Sequence, residues 1–290
     1  MPIEIKRVNE IGFCFGVKRA IAILEKVARE QGKVDTLGAL VHNERVVQQL
    51  STQGINIINN LEEIQNSVVA ISAHGVGPQT EAELKKKKVT VIDTTCPDVK
   101  RAQKAAQRLS EEGFFVVVFG EAKHPEVEGI LGWAEGKGLA TLDLKPFADL
   151  GKMPRKLGVL SQTTQIPENF SRFVKDLIDL ALIEGTEMRI VNTICRGVRR
   201  RQSETLELAR NVDLMLVIGS KTSANSKRLW ELCSGVTEAH LILETAEINS
   251  KWLEGKNSIG VTSGTSTSEQ SIDEVVKHLE TLTGKVEVKK

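Results

Sequence analysis

The sequence predicts an α/β fold of three similar units in a pseudo-three-fold trefoil, and two observations support that prediction. Short apolar runs alternate along the whole chain with amphipathic stretches of helical length, a pattern typical of parallel sheets covered by helices. The pattern C-x-x-V-[KR]-R also occurs three times, beginning at Cys14, Cys96 and Cys195. These copies divide the 290 residues into three parts of similar size.

Each copy of the pattern follows a short strand-like run and begins a stretch of helical length. The runs that precede the cysteines cover residues 3–8, 89–92 and 188–191. After Cys14, apolar residues three or four positions apart predict a helix that buries one face, namely Val17, Ile21, Leu24, Val27 and Ala28. Further strands are expected at residues 68–71, 115–119, 157–160, 214–218 and 258–261. Each cysteine is therefore predicted to lie at a strand-to-helix turn.

The predicted units cover residues 13–95, 96–193 and 194–290. Because Cys14 begins the first unit at a helix, the N-terminal strand within residues 1–12 is expected to join the third unit. Ligands of parallel α/β folds bind at the carboxyl ends of the strands. The three cysteines thus lie where a binding site is expected.

The composition is that of a globular protein without a strong overall charge. The chain has 39 Lys and Arg against 38 Asp and Glu, a net charge of +1, and 40% of its residues are hydrophobic. This balance gives no field that favours nucleic acid or an anionic membrane. The longest apolar runs are far shorter than the roughly 20 residues of a membrane span, and the N-terminus lacks a secretory signal. We expect a cytoplasmic protein that binds neither nucleic acid nor membrane.

The three repeated cysteines are candidate metal ligands. A helix N-terminus favours the thiolate, which is the form that binds metals. Cys233 lacks the preceding turn and the following pattern, so we expect it in the core. Structural zinc normally has four protein ligands, and no local fourth ligand accompanies these three. A [4Fe–4S] cluster held by three cysteines, with one iron open to substrate, needs no missing residue and fits the centre of three similar units.

Basic residues follow each cysteine. They are Lys18 and Arg19, Lys100 and Arg101, and the arginine run 199–201. Cations are unfavourable beside a helix N-terminus, so an anionic partner is expected to compensate them. A thiolate-bound cluster, a phosphorylated substrate or an acidic electron carrier would each serve, and ordinary solvated helix faces are the alternative. A further hypothesis is that the run 199–201 is exposed and docks an acidic electron carrier.

Polar residues occupy other predicted turns of the same kind. His42, His74 and His124 lie there, and so do the hydroxyl-rich segments 161–165, 219–226 and 262–268. Any one of them is typical of a helix cap or a surface residue. Together they offer hydroxyls, backbone N–H groups and positive helix ends, which bind phosphate without a large basic patch.

Nine motifs in this order resemble the hydroxymethylbutenyl diphosphate reductase family, also called LytB or IspH. They are GFCFGVKRAI, VHN, SAHGV, DTTCPDV, HPEVEG, SQTTQ, IC before an arginine-rich turn, GSKTSANSKRL and GVTSGTS. The resemblance covers nearly the whole chain and implies that Cys14, Cys96 and Cys195 ligate a [4Fe–4S] cluster with one open iron. It implies substrate contacts at His42, His74, His124, Thr163, Ser223, Ala224, Asn225 and Ser266. It also implies catalytic roles for Glu126, Thr163 and His124.

The resemblance further implies an enzyme of the non-mevalonate isoprenoid pathway. Reductive dehydroxylation of (E)-4-hydroxy-3-methylbut-2-enyl diphosphate would yield isopentenyl and dimethylallyl diphosphate, with the substrate oxygen on the open iron and Glu126 as proton donor through Thr163. Hydroxide is a poor leaving group, which explains the need for a Lewis acid and a proton. Ferredoxin or flavodoxin is the implied electron donor, and we expect a monomer or weak homodimer.

Two positions depart from the family pattern, and two other functions stay open. Val198 stands where many members have threonine, so a hydrogen bond there is lost or supplied by Thr193 or Thr164. Ala224 replaces a serine, so only its backbone N–H can bind diphosphate. The alternatives are a non-catalytic iron–sulfur redox sensor and an aconitase-like dehydratase that uses the open iron without redox chemistry.

Overall fold

A computed structural model describes residues 3–148, 151–284 and 288–289 of the protein. The strands are β1 (Glu4–Arg7), β2 (Val34–Leu37), β3 (Ile55–Ile58), β4 (Val68–Ile71), β5 (Thr90–Asp93), β6 (Phe115–Phe119), β7 (Gly138–Thr141), β8 (Lys156–Ser161), β9 (Glu187–Val191), β10 (Leu214–Ile218), β11 (Glu238–Ile242), β12 (Ser258–Ser263) and β13 (Val288–Lys289). The α-helices are α1 (Phe15–Gln31), α2 (Glu44–Thr52), α3 (Pro78–Lys86), α4 (Pro97–Glu111), α5 (Pro125–Gly132), α6 (Lys145–Ala148), α7 (Pro167–Ile183), α8 (Arg196–Ala209), α9 (Ala224–Ser234) and α10 (Glu269–Thr283). Short 3-10 helices cover Leu61–Glu63, Thr245–Glu247 and Ser250–Leu253.

The described strands form three sheets, and every strand pair is parallel. Their orders are β11-β10-β12-β1-β13, β3-β2-β4-β5 and β7-β6-β8-β9. The predicted α/β class with parallel sheets is therefore confirmed. The first strand pairs with β12, with Glu4 opposite Ser258, so the N-terminal strand lies in the sheet formed by the C-terminal residues.

The chain packs as two compact units. The C-terminal unit comprises the described parts of residues 1–18, 41–50 and 196–290 and contains the sheet with β1. The central unit comprises the described parts of residues 19–40 and 51–195 and contains the other two sheets. The predicted boundaries at residues 13, 96 and 194 stay a prediction.

In the C-terminal unit, β10 is buried on both faces because its side chains alternate between two helix layers. Leu214, Leu216 and Ile218 pack in one apolar cluster, and Met215 and Val217 pack in the other. The first cluster includes residues of α10, and the second includes residues of α8 and α9, namely Ile272, Val275, Ala209 and Leu229. A strand covered on both sides explains why this part of the sequence is a continuous apolar run.

The central unit repeats this arrangement around β6. Val116 and Val118 pack with apolar residues of α4 and α5. On the opposite face Val117 and Phe119 pack with α7, where the ring of Phe119 lies 4.8 Å from that of Phe173. Helices cover both faces, so the exposed polar chemistry is concentrated at the strand ends. No helix among the described residues is both long enough and apolar enough to cross a membrane.

Candidate functional site

The three repeated cysteines share one local environment. Cys14 and Cys195 directly precede α1 and α8, and Cys96 is the N-cap residue of α4. All three are half-buried. Each cysteine N–H donates to a carbonyl of the turn that follows the neighbouring strand: Cys14 to Thr265 at 3.1 Å, Cys96 to Ala73 at 3.0 Å and Cys195 to Thr163 at 3.0 Å. The sequence repeat thus corresponds to a repeated hydrogen bond.

Cys233 differs from these three in the way that the sequence predicts. Its side chain is fully buried on α9, in the apolar cluster with Met215 and Val217. Burial raises the pKa of its thiol to about 12, so it stays protonated at neutral pH. Cys233 is a core residue.

The donor set of the three repeated cysteines fits an iron–sulfur cluster. Half-buried cysteines at the N-terminal ends of helices favour the thiolate form, and thiolates are the usual ligands of such clusters.

Near Cys96, Asp93 ends β5 and forms an ion pair with Lys100. Burial, the largest single influence, raises the pKa of Asp93, but hydrogen bonds from Lys100 and Thr95 outweigh it and keep the pKa below its usual value.

A buried glutamate and a buried threonine form a hydrogen-bonded pair at the strand ends of the central unit. Glu126, in the first turn of α5, is 2% exposed. Its Oε1 accepts the backbone N–H of Thr163 at 2.6 Å, and its Oε2 accepts the Thr163 hydroxyl at 3.0 Å. Both carboxylate oxygens are therefore fixed by one residue of the turn after β8. Glu126 can exchange a proton with the Thr163 hydroxyl without moving.

His124 connects this pair to a second histidine. The backbone N–H of Glu126 donates to His124 Nδ1 at 3.2 Å, which places the proton of the neutral ring on Nε2. The His124 ring meets the His74 ring edge to face, with centroids 5.4 Å apart. The central unit therefore brings together His74, His124, Glu126 and Thr163. The turns of Cys96 and Cys195 adjoin these four residues through the hydrogen bonds from the cysteine N–H groups to the carbonyls of Ala73 and Thr163.

The C-terminal unit holds the hydroxyl-rich turn that begins α9. Ser223 is the N-cap residue, and its Oγ accepts the Ser226 N–H at 3.3 Å, so its own O–H can be donated to a ligand. Asn225 is 3% exposed, and neither atom of its side-chain amide has a hydrogen-bond partner among the described residues. Ala224 occupies the first helical position. A buried amide without partners is costly, and an anion at this helix end would satisfy its N–H₂ group.

Two glycines bring α9 close to the sheet. A Cβ atom at Gly219 or Gly264 would lie 2.2 or 2.1 Å from the Ser226 hydroxyl oxygen. Any larger residue at either position would displace the helix from the ends of β10 and β12. Glycine therefore allows the N-terminus of α9 to lie directly above the sheet edge.

No sequence pattern predicts a carboxylate beside this turn. Glu44 Oε1 accepts the hydroxyls of Ser220 at 3.0 Å and Thr222 at 3.2 Å. Its own backbone N–H is the largest influence that lowers its pKa; burial opposes this, and the two hydroxyls and the charge of His42 add to the lowering. Glu44 directly follows His42 and Asn43, so it connects the histidine turn to the hydroxyl-rich turn within this unit. A glutamate in the first turn of a helix is common for electrostatic reasons, so its type and position do not indicate that it binds the Ser220 and Thr222 hydroxyls.

The loop after β12 holds both Ser266 and the contact to Cys14. Ser266 is 6% exposed and follows Thr265, whose carbonyl accepts the Cys14 N–H. Arg201 donates to the carbonyls of Ser263 and Gly264 at 2.9 and 3.1 Å and is 3% exposed. The prediction of an exposed arginine run is therefore wrong at Arg201, because a basic residue can be buried where backbone carbonyls accept its protons.

The two threonines considered for the hydrogen bond missing at Val198 differ in their own hydrogen bonding. Val198 is buried on α8. The Thr193 hydroxyl bonds to the backbone carbonyl of Ser161 and accepts its N–H. The Thr164 hydroxyl is buried without a hydrogen-bond partner among the described residues. The Thr164 hydroxyl is thus open for a further hydrogen bond, whereas the Thr193 hydroxyl is already used within its own unit.

Comparisons with known proteins agree in one family. A family model described as LytB protein matches residues 5–280. The 4-hydroxy-3-methylbut-2-enyl diphosphate reductase of Dehalococcoides mccartyi strain CBDB1 is 52% identical over 280 residues, covering 97% of this chain and 99% of the relative. The protein of the same name from Geobacter sulfurreducens is 43% identical over 282 residues, with 96% and 97% coverage.

Two solved structures are also similar. One is described as (E)-4-hydroxy-3-methyl-but-2-enyl diphosphate reductase, the terminal enzyme of the non-mevalonate pathway. It is 35% identical with a TM-score of 0.70, covering 96% of this chain and 99% of that one. The other, the E-1-hydroxy-2-methyl-but-2-enyl-4-diphosphate reductase from Plasmodium falciparum, is 26% identical with a TM-score of 0.91 and covers 99% and 92%.

Fold and site together define a parallel α/β protein that carries cysteines, a buried carboxyl group and hydroxyl-rich turns at the carboxyl ends of its strands. The family match covers nearly all of the chain, and the two relatives are 52% and 43% identical to it. The chain belongs to the LytB family.

Proposed function

We propose that this protein reduces (E)-4-hydroxy-3-methylbut-2-enyl diphosphate to isopentenyl and dimethylallyl diphosphate. Two electrons and two protons enter, and the hydroxyl group leaves as water. The family membership gives the substrate class, and the buried Glu126–Thr163 pair is the observation that supports the chemistry. The proposal includes a [4Fe–4S] cluster with Cys14, Cys96 and Cys195 as ligands. When bound, such a cluster supplies a Lewis-acidic iron and transfers the electrons.

Glu126 is the proton donor in this proposal. The Thr163 N–H holds Oε1, which leaves Oε2 to carry the proton toward the Thr163 hydroxyl 3.0 Å away. Thr163 can accept that proton on Oγ1 while donating its own to the departing hydroxyl group. The buried position excludes competing water from the transfer. His124, with its proton on Nε2, is a donor for the substrate in the same pocket.

The diphosphate subsite in this proposal uses His42, His74, Ser223, Asn225 and Ser266, with the backbone N–H of Ala224. The support is the unsatisfied amide of Asn225 at the N-terminus of an eleven-residue helix. Backbone N–H groups and hydroxyls bind a diphosphate at such a helix end without many cations. The near-neutral charge of the chain agrees with this mode of binding.

The electron donor is proposed to be a ferredoxin or flavodoxin in the cytoplasm, acting on a monomer or weak homodimer. Arg196 and Arg199 are exposed in the first turns of α8 and have no ion-pair partner among the described residues, whereas Arg200 pairs with Glu10 and Glu204. An acidic carrier would meet these two cations beside Cys195. Turnover with the protein donor should then fall steeply with added salt, and turnover with a small chemical reductant should not. Equal salt dependence would exclude docking by charge.

Anaerobic reconstitution with iron and sulfide, followed by a substrate-reduction assay, tests the proposal. Isopentenyl and dimethylallyl diphosphate should form only when a low-potential reductant is present. Product formed without reductant would instead indicate the aconitase-like dehydratase. A bound cluster that responds to redox but never turns over substrate would indicate the sensor.

A further inference from the structure

We propose that Arg19 and Arg101 are positioning residues for the cluster ligands Cys96 and Cys195. Each guanidinium bridges two successive carbonyl groups of the turn that ends in the cysteine. We call this contact a carbonyl bridge. The inference rests on the proposed cluster, and it assigns a role to arginines that the sequence suggested only as compensated or solvated cations.

Arg101 forms the carbonyl bridge at Cys195. Its Nη2 donates to the carbonyls of Thr193 at 3.2 Å and Ile194 at 3.4 Å. Both residues are fully or almost fully buried, so water is a poor substitute for the guanidinium. Arg101 lies on α4, the helix that Cys96 begins. Within the central unit, the helix after one cysteine therefore holds the turn before another.

Arg19 forms the equivalent bridge at Cys96. Its Nη1 donates to the carbonyls of Thr94 and Thr95, both at 3.4 Å. Arg19 and Arg101 occupy the same position of the repeated sequence pattern, five residues after a cysteine. The same residue therefore makes the same contact in two copies of the repeat, which indicates a shared role.

The bridges fix the peptide bond that directly precedes each cysteine at both of its polar ends. At Cys195, Arg101 holds the Ile194 carbonyl and the Thr163 carbonyl accepts the Cys195 N–H at 3.0 Å. At Cys96, Arg19 holds the Thr95 carbonyl and the Ala73 carbonyl accepts the Cys96 N–H at 3.0 Å. A peptide plane held at both ends sets the direction in which the next side chain leaves the backbone. The sulfur atoms are thus aimed before any metal binds.

The C-terminal unit has a related contact with a different target. Arg201 bridges the carbonyls of Ser263 and Gly264, and the next residue, Thr265, accepts the Cys14 N–H. Here the arginine holds the turn against which the cysteine rests rather than the turn that contains it. Because Arg201 is buried, its removal endangers the fold, and it is unsuitable as a first test.

Two consequences follow for a bound cluster. Groups that orient metal ligands typically change metal affinity by about tenfold to a hundredfold when they are lost. A positive guanidinium on the turn that carries a ligand cysteine also favours the more negative, reduced cluster. Arg101 pairs with Asp98 at 3.3 Å, so its loss would also leave that carboxylate uncompensated, and the reduction potential should fall. An arginine that merely stabilised the fold would have neither effect.

The test compares Arg101→Gln with Arg108→Gln after anaerobic reconstitution. Arg108 is exposed near the end of the same helix and has no side-chain hydrogen bond among the described residues, so it controls for loss of charge on α4. We expect Arg101→Gln to release iron to a ferrous chelator about tenfold faster than the control. Its reduced cluster should have an altered electron paramagnetic resonance spectrum and a lower midpoint potential. Arg101→Lys, which keeps the charge on a shorter side chain, should be intermediate.

Thermal unfolding of the apo-proteins separates folding from ligand positioning. If Arg101→Gln fails to fold, Arg19→Gln against Arg29→Gln repeats the comparison on α1, where Arg29 is exposed in the last turn. Equal iron release, spectra and potential in the variant and its control would overturn the proposal. A lowered unfolding temperature with an unchanged assembled cluster would likewise show a purely structural role. If the unchanged protein takes up no cluster, the proposed function fails first and this inference falls with it.

Discussion

The buried acid of the central unit and the buried amide of the C-terminal unit satisfy their polar atoms in opposite ways. Both oxygens of Glu126 accept hydrogen bonds from Thr163, and both residues are almost fully buried. Asn225 is equally buried, but its amide has no partner among the described residues. Buried polar atoms are normally paired, so the difference needs an explanation.

The difference is the one expected between a group that donates a proton and a group that binds a ligand. A proton donor must have its geometry before the substrate arrives, because reorganisation during the reaction would raise the barrier. An anion-binding amide must instead leave its donors open, at a cost to the free protein of about 1–3 kcal/mol. Under the proposed function, the Glu126–Thr163 pair is therefore complete in the free protein, whereas the anion subsite at Asn225 is completed by its ligand.

The largest expected effect comes from Glu126→Gln, which keeps the shape of the pair and removes its acid. Loss of a positioned general acid should lower turnover by about 10²- to 10⁴-fold. The glutamine Oε1 can still accept the Thr163 N–H, so the fold and the visible absorbance of the cluster should be unchanged. Single-turnover kinetics with the reduced protein measures the effect. Turnover within a few-fold of the unchanged protein would remove Glu126 from the chemistry.

Asn225→Leu should move ligand binding and stability in opposite directions. Loss of the amide should weaken pyrophosphate binding about tenfold to a hundredfold, from about 1–3 kcal/mol of hydrogen bonding. The free protein should become no less stable, because a buried amide without partners is replaced by an apolar group. Calorimetric titration and thermal unfolding measure the two effects.

The matched control is Asn66→Leu in the central unit. The Asn66 amide donates to Asp35 at 2.6 Å, so its partner there is already present. This change should lower the unfolding temperature and leave pyrophosphate binding alone. If both asparagine variants destabilise the free protein equally, the contrast between a complete and an open site is wrong.

Much of the fold could be predicted from the sequence because its signals are local. The apolar run of β10 reflects burial on both faces, and the repeat around the cysteines reflects a strand-to-helix turn. These patterns alone predict that Cys14, Cys96 and Cys195 lie at strand-to-helix turns. Glu126, by contrast, was singled out only through the family resemblance, since an acid after His-Pro is also an ordinary helix start.

The roles of Arg19, Arg101 and Glu44 could not be predicted in the same way. Arg19 and Arg101 reach carbonyls 75 and 92 residues away along the chain. Backbone carbonyls have no residue type, so no sequence pattern indicates them. Glu44 meets Ser220, which is 176 residues away, only because the fold brings the two turns together.

Thr163→Val tests the role of the Thr163 hydroxyl in this pair, and the expected loss of turnover is smaller. Valine keeps the volume but can neither donate to Glu126 nor pass a proton onward, so we expect turnover to fall about tenfold, the effect of one hydrogen bond. The backbone N–H still holds Glu126 Oε1, which preserves the orientation of the acid. Thr163→Ser restores the hydroxyl and should restore the rate. If serine and valine behave alike, the hydroxyl takes no part in proton transfer.

The smallest effect is a pH dependence of stability that comes from Glu44. Its pKa in the folded protein lies below the ordinary 4.5, so its charge stabilises the fold above that pH and ceases to do so as the pH falls through the lowered value. Glu44→Gln keeps an acceptor for Ser220 and Thr222 but cannot ionise. The unfolding-temperature difference between the unchanged protein and this variant should therefore be constant near neutral pH and shrink below about pH 4.5. Glu231→Gln, exposed on α9, removes a glutamate charge elsewhere in the same unit and is the control. The Glu44 carboxylate also adds a negative charge beside the proposed anion subsite. Glu44→Gln should therefore bind pyrophosphate slightly more tightly at neutral pH. Weaker binding would mean that Glu44 acts mainly by orienting the hydroxyl-rich turn.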